Sequence, residues 1–218
     1  MTDMPNLIIA IDGTLASGKG TLARFLSSEY ELPHLDTGLL YRALAALALK
    51  TSVALDDEDA LADKAETLNL ADFDEADLRT AEVGQAASKV AAYPKVRKAL
   101  FELQREFAFQ DGGAVLDGRD IGTVVCPEAH VKIWVDADIR TRAERRVAEL
   151  NAKGDPITVD EMLEQLEERD KRDRTRDVAP MRPADDAHLL DTSHLSIDAA
   201  KEEARHIVDR VRASLSRS

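Results

Sequence analysis

The sequence is poor in cysteine, in aromatic residues and in long apolar runs. Its 218 residues include a single cysteine, Cys126, which excludes an intramolecular disulfide or a cysteine-rich metal site, so we expect a small buried hydrophobe there. Aromatic residues make up 4% of the chain, and Trp134 lies in an apolar segment, where we expect packing in the core. No apolar run approaches the roughly 20 residues of a membrane span. Residues 1–6 lack the basic start and apolar middle of a signal peptide, so we expect a cytoplasmic protein without a membrane partner.

Positive charge is also scarce. The chain has 42 acidic and 29 basic residues and a formal net charge of -13. Such a chain is repelled by DNA and RNA overall, so we expect no nucleic-acid partner, and an anionic ligand needs a concentrated basic pocket. Hydrophobic residues at 44% are enough for a real core, which excludes wholesale disorder. The length suits one domain, and we expect a monomer.

Short apolar runs alternate with longer amphipathic stretches. The run at residues 7–11 is typical of a strand buried on both faces, and the runs at 114–116, 131–135 and 189–190 are further strand candidates. We expect all four to be parallel central strands. Apolar residues at helical spacing follow in 40–47 and 197–215. Strands that alternate with helices predict an α/β fold with a mostly parallel sheet. Ligands of such sheets bind at the carboxyl ends of the strands.

Two helix starts carry capping signals. Ser196 is placed to cap the C-terminal helix. Thr158 and Glu161 form a capping-box pattern that opens a highly charged helix, which we expect to run to about Asp177, before Pro180. The acidic run at 56–59 is expected to be a solvated helix start.

The strongest motif follows the first predicted strand directly. A G-x-x-x-x-G-K pattern lies between a strand and a helix, as the phosphate-binding loop requires; its residues are Gly13, Thr14, Leu15, Ala16, Ser17, Gly18, Lys19, Gly20 and Thr21. Successive backbone N–H groups and the helix N-terminus surround a phosphate in such a loop. Lys19 is expected at the β- and γ-phosphates, and Thr21 or a nearby hydroxyl at Mg²⁺. A chance glycine turn is the alternative interpretation.

The residue after the lysine departs from the common form. Gly20 stands where serine or threonine usually follows, and the hydroxyl arrives at Thr21. This form resembles the loop of nucleoside monophosphate kinases more than that of GTPases. The chain also lacks an Asn-Lys-x-Asp or Thr-Lys-x-Asp guanine-reading segment, so we do not expect a GTPase.

Three further segments are candidates for a second anion site. Thr37 and Arg42 accompany a predicted helix start, where Arg42 is either an anion ligand or a solvated surface arginine. Asp117, Arg119 and Asp120 follow a predicted strand, so Asp117 is a candidate for holding Mg²⁺ or its water shell; the alternative is a charged turn.

The third segment is the charged helix. At about 100° per residue, Arg169, Arg172, Asp173 and Arg176 share one face, whereas Arg174 points away. On charge pattern alone a solvated helix with i,i+4 ion pairs is the simpler interpretation. A phosphate loop elsewhere in the chain favours an arginine-lined cover over the site.

Taken together, these segments resemble bacterial cytidylate kinases over nearly the whole chain, including the stretch from Ala86 to Arg97 and the ending 190–193. The resemblance implies a P-loop kinase with a central five-stranded parallel sheet flanked by helices, a helical lid and a shortened acceptor-binding subdomain. Within the single domain, 1–218, it places the core at about 1–50, 112–149 and 178–218, the acceptor-binding subdomain at about 51–111 and the lid at about 150–177.

The resemblance also implies roles for individual residues. ATP is the donor and lies over the loop from Gly13 to Thr21, and CMP or dCMP is the acceptor. The implied catalytic residues are Lys19, Arg119, Arg169 and Arg176, and Thr21 and Asp117 would serve Mg²⁺. The acceptor phosphate would be bound by Thr37, Arg42, Arg119 and Arg176. The cytosine ring would form hydrogen bonds with Ser88, Arg97 and Asp120, and the sugar hydroxyls would bind Arg169 and Asp173. The set of implied substrate-binding residues also includes Asp117.

One segment departs from the family pattern. Common long members carry an inserted β-rich segment in the acceptor-binding region, and the stretch 67–75, before 78–80, is too short to hold it. We therefore expect a subdomain that is trimmed or rebuilt from helices, with the preference between CMP and dCMP left open. Two other functions stay open: a kinase of another nucleoside monophosphate, and an ATP-dependent switch protein.

Overall fold

The described chain forms one five-stranded, all-parallel sheet in the order β2–β3–β1–β4–β5. The computed structural model describes residues 6–152 and 154–216. Residues 1–5, 153 and 217–218 lie outside the described residues. The expectation that there is no signal peptide concerns residues 1–6, so it falls almost entirely on this undescribed part, and residue 153 belongs to the predicted lid. The strands are β1 (Leu7–Gly13), β2 (His34–Asp36), β3 (Gly113–Gly118), β4 (Val131–Asp136) and β5 (His188–Asp191).

Four of these strands contain the four apolar runs predicted from the sequence. The expectation that 189–190 is a central strand is wrong, because β5 has a neighbour on one side only and Leu189 is 72% exposed. The first strand, β1, is buried at every position and lies at the centre of the sheet. The strand β2 at the edge was not predicted, because three residues with a single fully buried side chain, Leu35, carry no periodic signal. The carboxyl ends of β1, β2 and β3 lie side by side, since Asp36 pairs with Asp117 and Asp12 with Gly118.

Helices cover both faces of the sheet. They are α1 (Lys19–Tyr30), α2 (Thr37–Lys50), α3 (Glu58–Glu66), α4 (Glu75–Leu78), α5 (Ala81–Val90), α6 (Pro94–Ala108), α7 (Ile139–Ala152), α8 (Val159–Thr175) and α9 (Ile197–Leu215). One apolar core joins α2, α3, α5 and α6 to Ile8 and Leu116, and the other joins α1 and α9 to Ile9 and Ile133. Successive β1 side chains alternate between these two cores, as strand geometry requires.

The predicted capping signals are confirmed. The hydroxyl of Ser196 accepts from the backbone N–H of Ala199, and Thr158 and Glu161 form both bonds of a capping box. Helix α3 begins within the acidic run, and Asp57 caps it. Helix α8 ends at Thr175, two residues before the predicted end, because the backbone of Arg176 is extended.

The stretch 51–111 contains helices and turns and no strand, and every residue in it is described. The expectation of a segment rebuilt from helices is therefore correct. Its apolar residues, such as Leu61, Leu78 and Leu100, join the core that contains α2. Cys126 and Trp134 are buried, as predicted. Among the described residues, no helix is both long and apolar enough to cross a bilayer.

Candidate functional site

The loop that joins β1 to α1 is shaped by glycines and closed by side-chain hydrogen bonds. Gly13 has φ +151°, and a Cβ there would lie 1.9 Å from the Val135 carbonyl oxygen, so only glycine fits. Gly18 precedes α1 with a left-handed backbone, φ +92°. Thr14 Oγ1 donates to Asp136 Oδ1 at 2.7 Å, and Ser17 Oγ donates to the Thr14 carbonyl at 2.9 Å. These bonds preform a loop at a helix N-terminus, where backbone N–H groups are free to bind an anion.

Lys19 is the first residue of α1 and points toward the end of β3. Its Nζ lies 3.9 Å from Asp117 Oδ1. Burial, together with the nearby charge of Arg119, lowers the pKa of Lys19 to about 8. Burial opposes ionisation of Asp117, but a hydrogen bond with His34 and the charges of Lys19 and Arg119 hold the pKa of Asp117 below its usual value. A lysine whose charge is only partly compensated is suited to bind an anion.

The substrate-binding residues proposed from the sequence line one cavity. It opens beside Leu15 and Lys19 of the loop and lies at the carboxyl ends of β2 and β3, under α8. The predicted residues in its wall are Lys19, Thr37, Arg42, Ser88, Arg97, Asp117, Arg119, Asp120, Arg169, Asp173 and Arg176. Residues separated by more than 150 positions in the chain therefore meet at one site.

The wall of this cavity carries an excess of positive charge. Seven lysine and arginine side chains face four aspartates, an excess of three positive charges in a protein whose net charge is -13. Burial and the neighbouring charge of Arg146 lower the pKa of Arg42 to about 10, and burial and the charge of Arg119 lower the pKa of Arg169 to about 9. Cations that repel one another in this way are stabilised when a polyanion binds among them.

Asp120 is held at the far side of the cavity by two arginines. One carboxylate oxygen pairs with Arg97, and Arg176 Nη2 lies 2.9 Å from the other. The Arg97 guanidinium also lies over the ring of Tyr41, 5.7 Å from its centroid. The Asp120 carboxylate therefore has a fixed position at the edge of the cavity, with lone pairs left for a further donor.

Comparisons with known proteins identify the family. A family model described as cytidylate kinase matches residues 9–210. The chain is 52% identical to the cytidylate kinase of Methylocella silvestris over 96% of its own length and 97% of that protein. It is also 52% identical to the cytidylate kinase of a Bradyrhizobium species, over 97% of its own length and 100% of the relative.

The chain belongs to the cytidylate kinase family. It is therefore a kinase that uses ATP as phosphoryl donor. A crystal structure of an uncharacterized protein from Eubacterium ventriosum has the same fold at 16% identity, with a TM-score of 0.55, and covers 93% of this chain and 98% of that one.

In this cytidylate kinase family member, α8 forms one side of the cavity and is fixed at its base to α7. Arg142 Nη2 lies 2.7 Å from Asp170 Oδ2, and both side chains are buried. Arg142 Nη1 also donates to the Leu15 carbonyl at 3.3 Å. Leu15 packs with apolar residues of both helices, including Leu150 and Leu166. The loop and the predicted lid are thus in direct contact.

Side chains of α8 also contact α5 and the segment that follows β3. Arg119 Nε lies 3.3 Å from Asp173 Oδ2, which joins that segment to α8. Arg172 Nη1 donates to Ser88 Oγ at 2.8 Å, and Arg169 Nη1 donates to the Gly84 carbonyl at 3.4 Å. Arg169, Arg172 and Asp173 share the face predicted from helical spacing. Arg176 was predicted on the same helical face, but it lies beyond the end of α8 and reaches the cavity from an extended backbone.

Three residues near the cavity were not assigned a role by sequence reasoning. His34, treated as structural along with His130, His188, His194 and His206, has its Nε2 2.9 Å from Asp117 Oδ2. Arg79 Nη2 lies 3.2 Å from Asp36 Oδ2 in the cavity wall. Asp12 accepts from the backbone N–H groups of Ile121 and Gly122 at 2.8 and 2.7 Å. None of them lies in a recognisable motif: Asp12 and His34 belong to strands β1 and β2, and Arg79 directly follows α4.

Asp12 is the most informative of the three. Burial raises its pKa to about 7, even though both backbone donors favour the ionised form. Its two partners begin a π-helical turn, Ile121–Val125, that directly follows Arg119 and Asp120. Asp12 therefore ties the segment that carries two cavity residues to the central strand.

The two residues expected to serve Mg²⁺ do not line the same cavity. Asp117 faces the arginine-lined cavity, whereas Thr21 lines a second cavity on the other side of the loop, with Ala16, Ser17 and Gly18. Gly20 lies next to Asp117, because a Cβ on Gly20 would be 3.9 Å from Asp117 Oδ2. Among the described residues, no group of three or more His, Cys, Asp or Glu side chains could hold a metal ion.

Proposed function

We propose that this kinase transfers the γ-phosphoryl group of ATP to CMP or dCMP, in a reaction assisted by Mg²⁺. The observation that supports the proposal is a single cavity with an excess of positive charge, which is lined by Leu15 and Lys19 of the phosphate loop and by the residues proposed from the sequence to bind the acceptor. Family membership supports ATP as the donor and a cytidylate as the acceptor.

The acceptor is itself an anionic phosphate, so the reaction needs no strong general base. The protein has to align two polyanions that repel each other and to stabilise the charge that spreads over the transferred group. Lys19 approaches from the donor side. Arg42, Arg119 and Arg176 are assigned to the acceptor phosphate, and Arg169, which is also assigned to the sugar, adds positive charge beside the transferred group. The arginines of α8 also exclude water, which would otherwise accept the phosphoryl group.

Asp117 is the residue assigned to Mg²⁺. Magnesium prefers six oxygen ligands, keeps several waters, and often takes only one or two protein carboxylates with substrate phosphates. The Asp117 carboxylate, beside Lys19 and facing position 20, fits this requirement, directly or through water. Thr21 lines the other cavity and is not assigned to the metal. When bound, the ion would neutralise phosphate charge between donor and acceptor.

Asp120 is assigned to base recognition. Cytosine carries an exocyclic amine where uracil carries a carbonyl oxygen, and an ionised carboxylate accepts from the amine but repels the carbonyl. Arg97 and Arg176 hold Asp120 in one position. This arrangement favours CMP over UMP.

The acceptor sugar is assigned to Arg169 and Asp173. Both side chains line the same cavity, and Asp173 Oδ2 lies 4.0 Å from Arg169 Nε. The chain lacks the β-rich insert of long family members, so these residues of α8 carry the sugar contacts. We propose that both CMP and dCMP are accepted.

A coupled ADP-release assay tests the proposal. ATP and Mg²⁺ are supplied with CMP, dCMP, UMP or AMP, or with no acceptor, and the Lys19→Met variant serves as the control for contaminating kinases. Turnover confined to CMP and dCMP is expected. Turnover with UMP or AMP alone would indicate a different nucleoside monophosphate kinase, and ATP consumption that no acceptor stimulates would favour a switch protein.

A further inference from the structure

The contact between Arg172 and Ser88 joins α8 to α5 at the edge of the cavity. Ser88 is 4% exposed and lines the cavity. Arg172 Nη1 donates to Ser88 Oγ at 2.8 Å. Arg172 lies on the helix that also carries Arg169 and Asp173, so the position of this helix decides whether the contact forms.

The chemistry of the two groups determines the direction of the serine hydroxyl. A guanidinium group has five N–H donors and no acceptor, whereas a hydroxyl has one proton and two lone pairs. The oxygen of Ser88 is therefore the acceptor in this bond, and its proton cannot point at Arg172. Within the described part of the chain, Ser88 Oγ makes no hydrogen bond as a donor. The proton is available to a group in the cavity.

We propose that Arg172 is a positioning residue that turns the Ser88 proton toward the cavity, polarises Ser88 as a hydrogen-bond donor toward the acceptor base and so helps to select cytosine over uracil. This inference rests on the proposed function. Asp120 accepts from the exocyclic amine, and the next atom along that edge of the ring is N3. In cytosine N3 is an unprotonated acceptor, whereas in uracil it carries a hydrogen.

The pair Asp120 and Ser88 then presents an acceptor beside a donor. Cytosine has the complementary order, a donor beside an acceptor, and uracil has the reverse order at both atoms. The Ser88 oxygen keeps a second lone pair, but a hydroxyl that accepts from a cationic guanidinium is polarised into a stronger donor and a weaker second acceptor. Without Arg172, the hydroxyl accepts from the uracil N3–H more readily, so one of the two mismatches is weakened. A site built to bond a polar group discriminates strongly only while a wrong partner leaves its groups unpaired.

The test is the ratio of kcat/KM for CMP to kcat/KM for UMP. It is measured for the wild type, Arg172→Met, Arg172→Lys, Ser88→Ala and the double variant Ser88→Ala/Arg172→Met. Arg174→Met is the matched control, because Arg174 is an exposed arginine of the same helix that the cavity does not include. Thermal unfolding verifies that each variant is folded.

We expect Arg172→Met to lower the ratio about tenfold, the effect of one hydrogen bond of about 1.4 kcal/mol. Arg172→Lys keeps a donor and retains most of the ratio. Ser88→Ala lowers the ratio by itself, and adding Arg172→Met to Ser88→Ala changes it no further, because the two residues act through one hydroxyl. Arg174→Met has the wild-type ratio.

An unchanged ratio in folded Arg172→Met overturns the inference, as does an equal loss when Arg172→Met is made in the Ser88→Ala background. If Arg172→Met does not fold, two other results overturn the inference. One is a wild-type ratio in Ser88→Ala, and the other is a ratio in Arg172→Lys as low as that of Ser88→Ala. Failure of the proposed function is seen separately, as a wild type that does not phosphorylate CMP.

Discussion

At the scale of single residues, positive charge is concentrated in the cavity, although the protein as a whole is negatively charged. The cavity concentrates cations whose pKa values are lowered by burial and by one another, as for Lys19, Arg42 and Arg169. Aspartate carboxylates pair with many of these cations and hold them in place before a substrate binds. Binding of two phosphorylated substrates then supplies the missing negative charge. This arrangement explains how a chain with net charge -13 can attract nucleotides.

The Lys19→Met variant tests the donor side of the site. Methionine keeps most of the apolar stem and removes the ammonium group, so the variant should fold. We expect kcat to fall by about 10²-fold or more, the scale observed when one preorganised electrostatic donor is removed. Steady-state kinetics with ATP and CMP measure the change. Lys50→Met, an exposed lysine at the end of α2, is the control, and wild-type kcat in Lys19→Met would contradict the role.

The buried carboxyl group of Asp12 makes the stability of the protein decrease as the pH rises from about 4 to 7. Its pKa is raised by burial from 3.8 to about 7, so between these values the folded protein holds a proton that the unfolded chain has released. The stabilisation that the protonated group contributes is complete below about pH 4 and is lost as pH rises through 7.

The Asp12→Asn variant lacks this titration. We expect the unfolding free energy of the wild type to decrease relative to that of the variant from pH 4 to 7, with a slope of up to about 1.4 kcal/mol per pH unit, and the difference to level off above pH 7. Urea denaturation of both proteins across this range measures it. A difference that does not change with pH would refute the assignment.

At the scale of elements, α7 and α8 form a unit that connects the phosphate loop to α5 across the arginine-lined cavity. The buried Arg142–Asp170 pair joins the two helices, and Arg142 also reaches the loop carbonyl of Leu15. The opposite face of α8 contacts α5 through Arg172 and Ser88. A change in the position of α8 would therefore change the contacts with the phosphate loop and with α5 together, which suits the proposed role of a lid that completes the site.

The Asp170→Asn variant tests this connection. It leaves the buried Arg142 guanidinium without its carboxylate, and breaking one side of a buried ion pair typically costs about 3–5 kcal/mol. Chemical denaturation should show a loss of this order, whereas Glu167→Gln, an exposed position of α8, should change little. The double variant Arg142→Met/Asp170→Leu should recover much of the loss. Equal stability of Asp170→Asn and Glu167→Gln would show that the pair does not hold the helices.

At the scale of the whole molecule, the sheet and the long helices could be predicted because their signals are local and periodic. Continuous apolar runs indicated four strands, of which β5 is an exposed edge strand, and caps such as Thr158 and Ser196 marked helix starts. The edge strand β2 could not be predicted, because three residues leave no pattern. The end of α8 was placed two residues late, because the bond from Arg176 Nε to the Ala179 carbonyl depends on a turn without a sequence signal.

The site was predictable only where its residues lie in motifs. The phosphate loop and the Asp117–Asp120 segment were found from the sequence, and the structure places them at neighbouring strand ends. The supporting contacts of Asp12, His34 and Arg172 depend on tertiary neighbours between 83 and 110 positions away. No local pattern encodes such distances, so these roles required the folded chain.

The most direct test of the account is a crystal structure of the protein with CMP and an unreactive ATP analogue. We predict that the CMP phosphate lies within hydrogen-bond distance of Arg42, Arg119 and Arg176, with the exocyclic amine of the base against Asp120 and the analogue's phosphates on the loop from Gly13 to Thr21. CMP bound outside the arginine-lined cavity, or with its amine turned away from Asp120, would contradict the account.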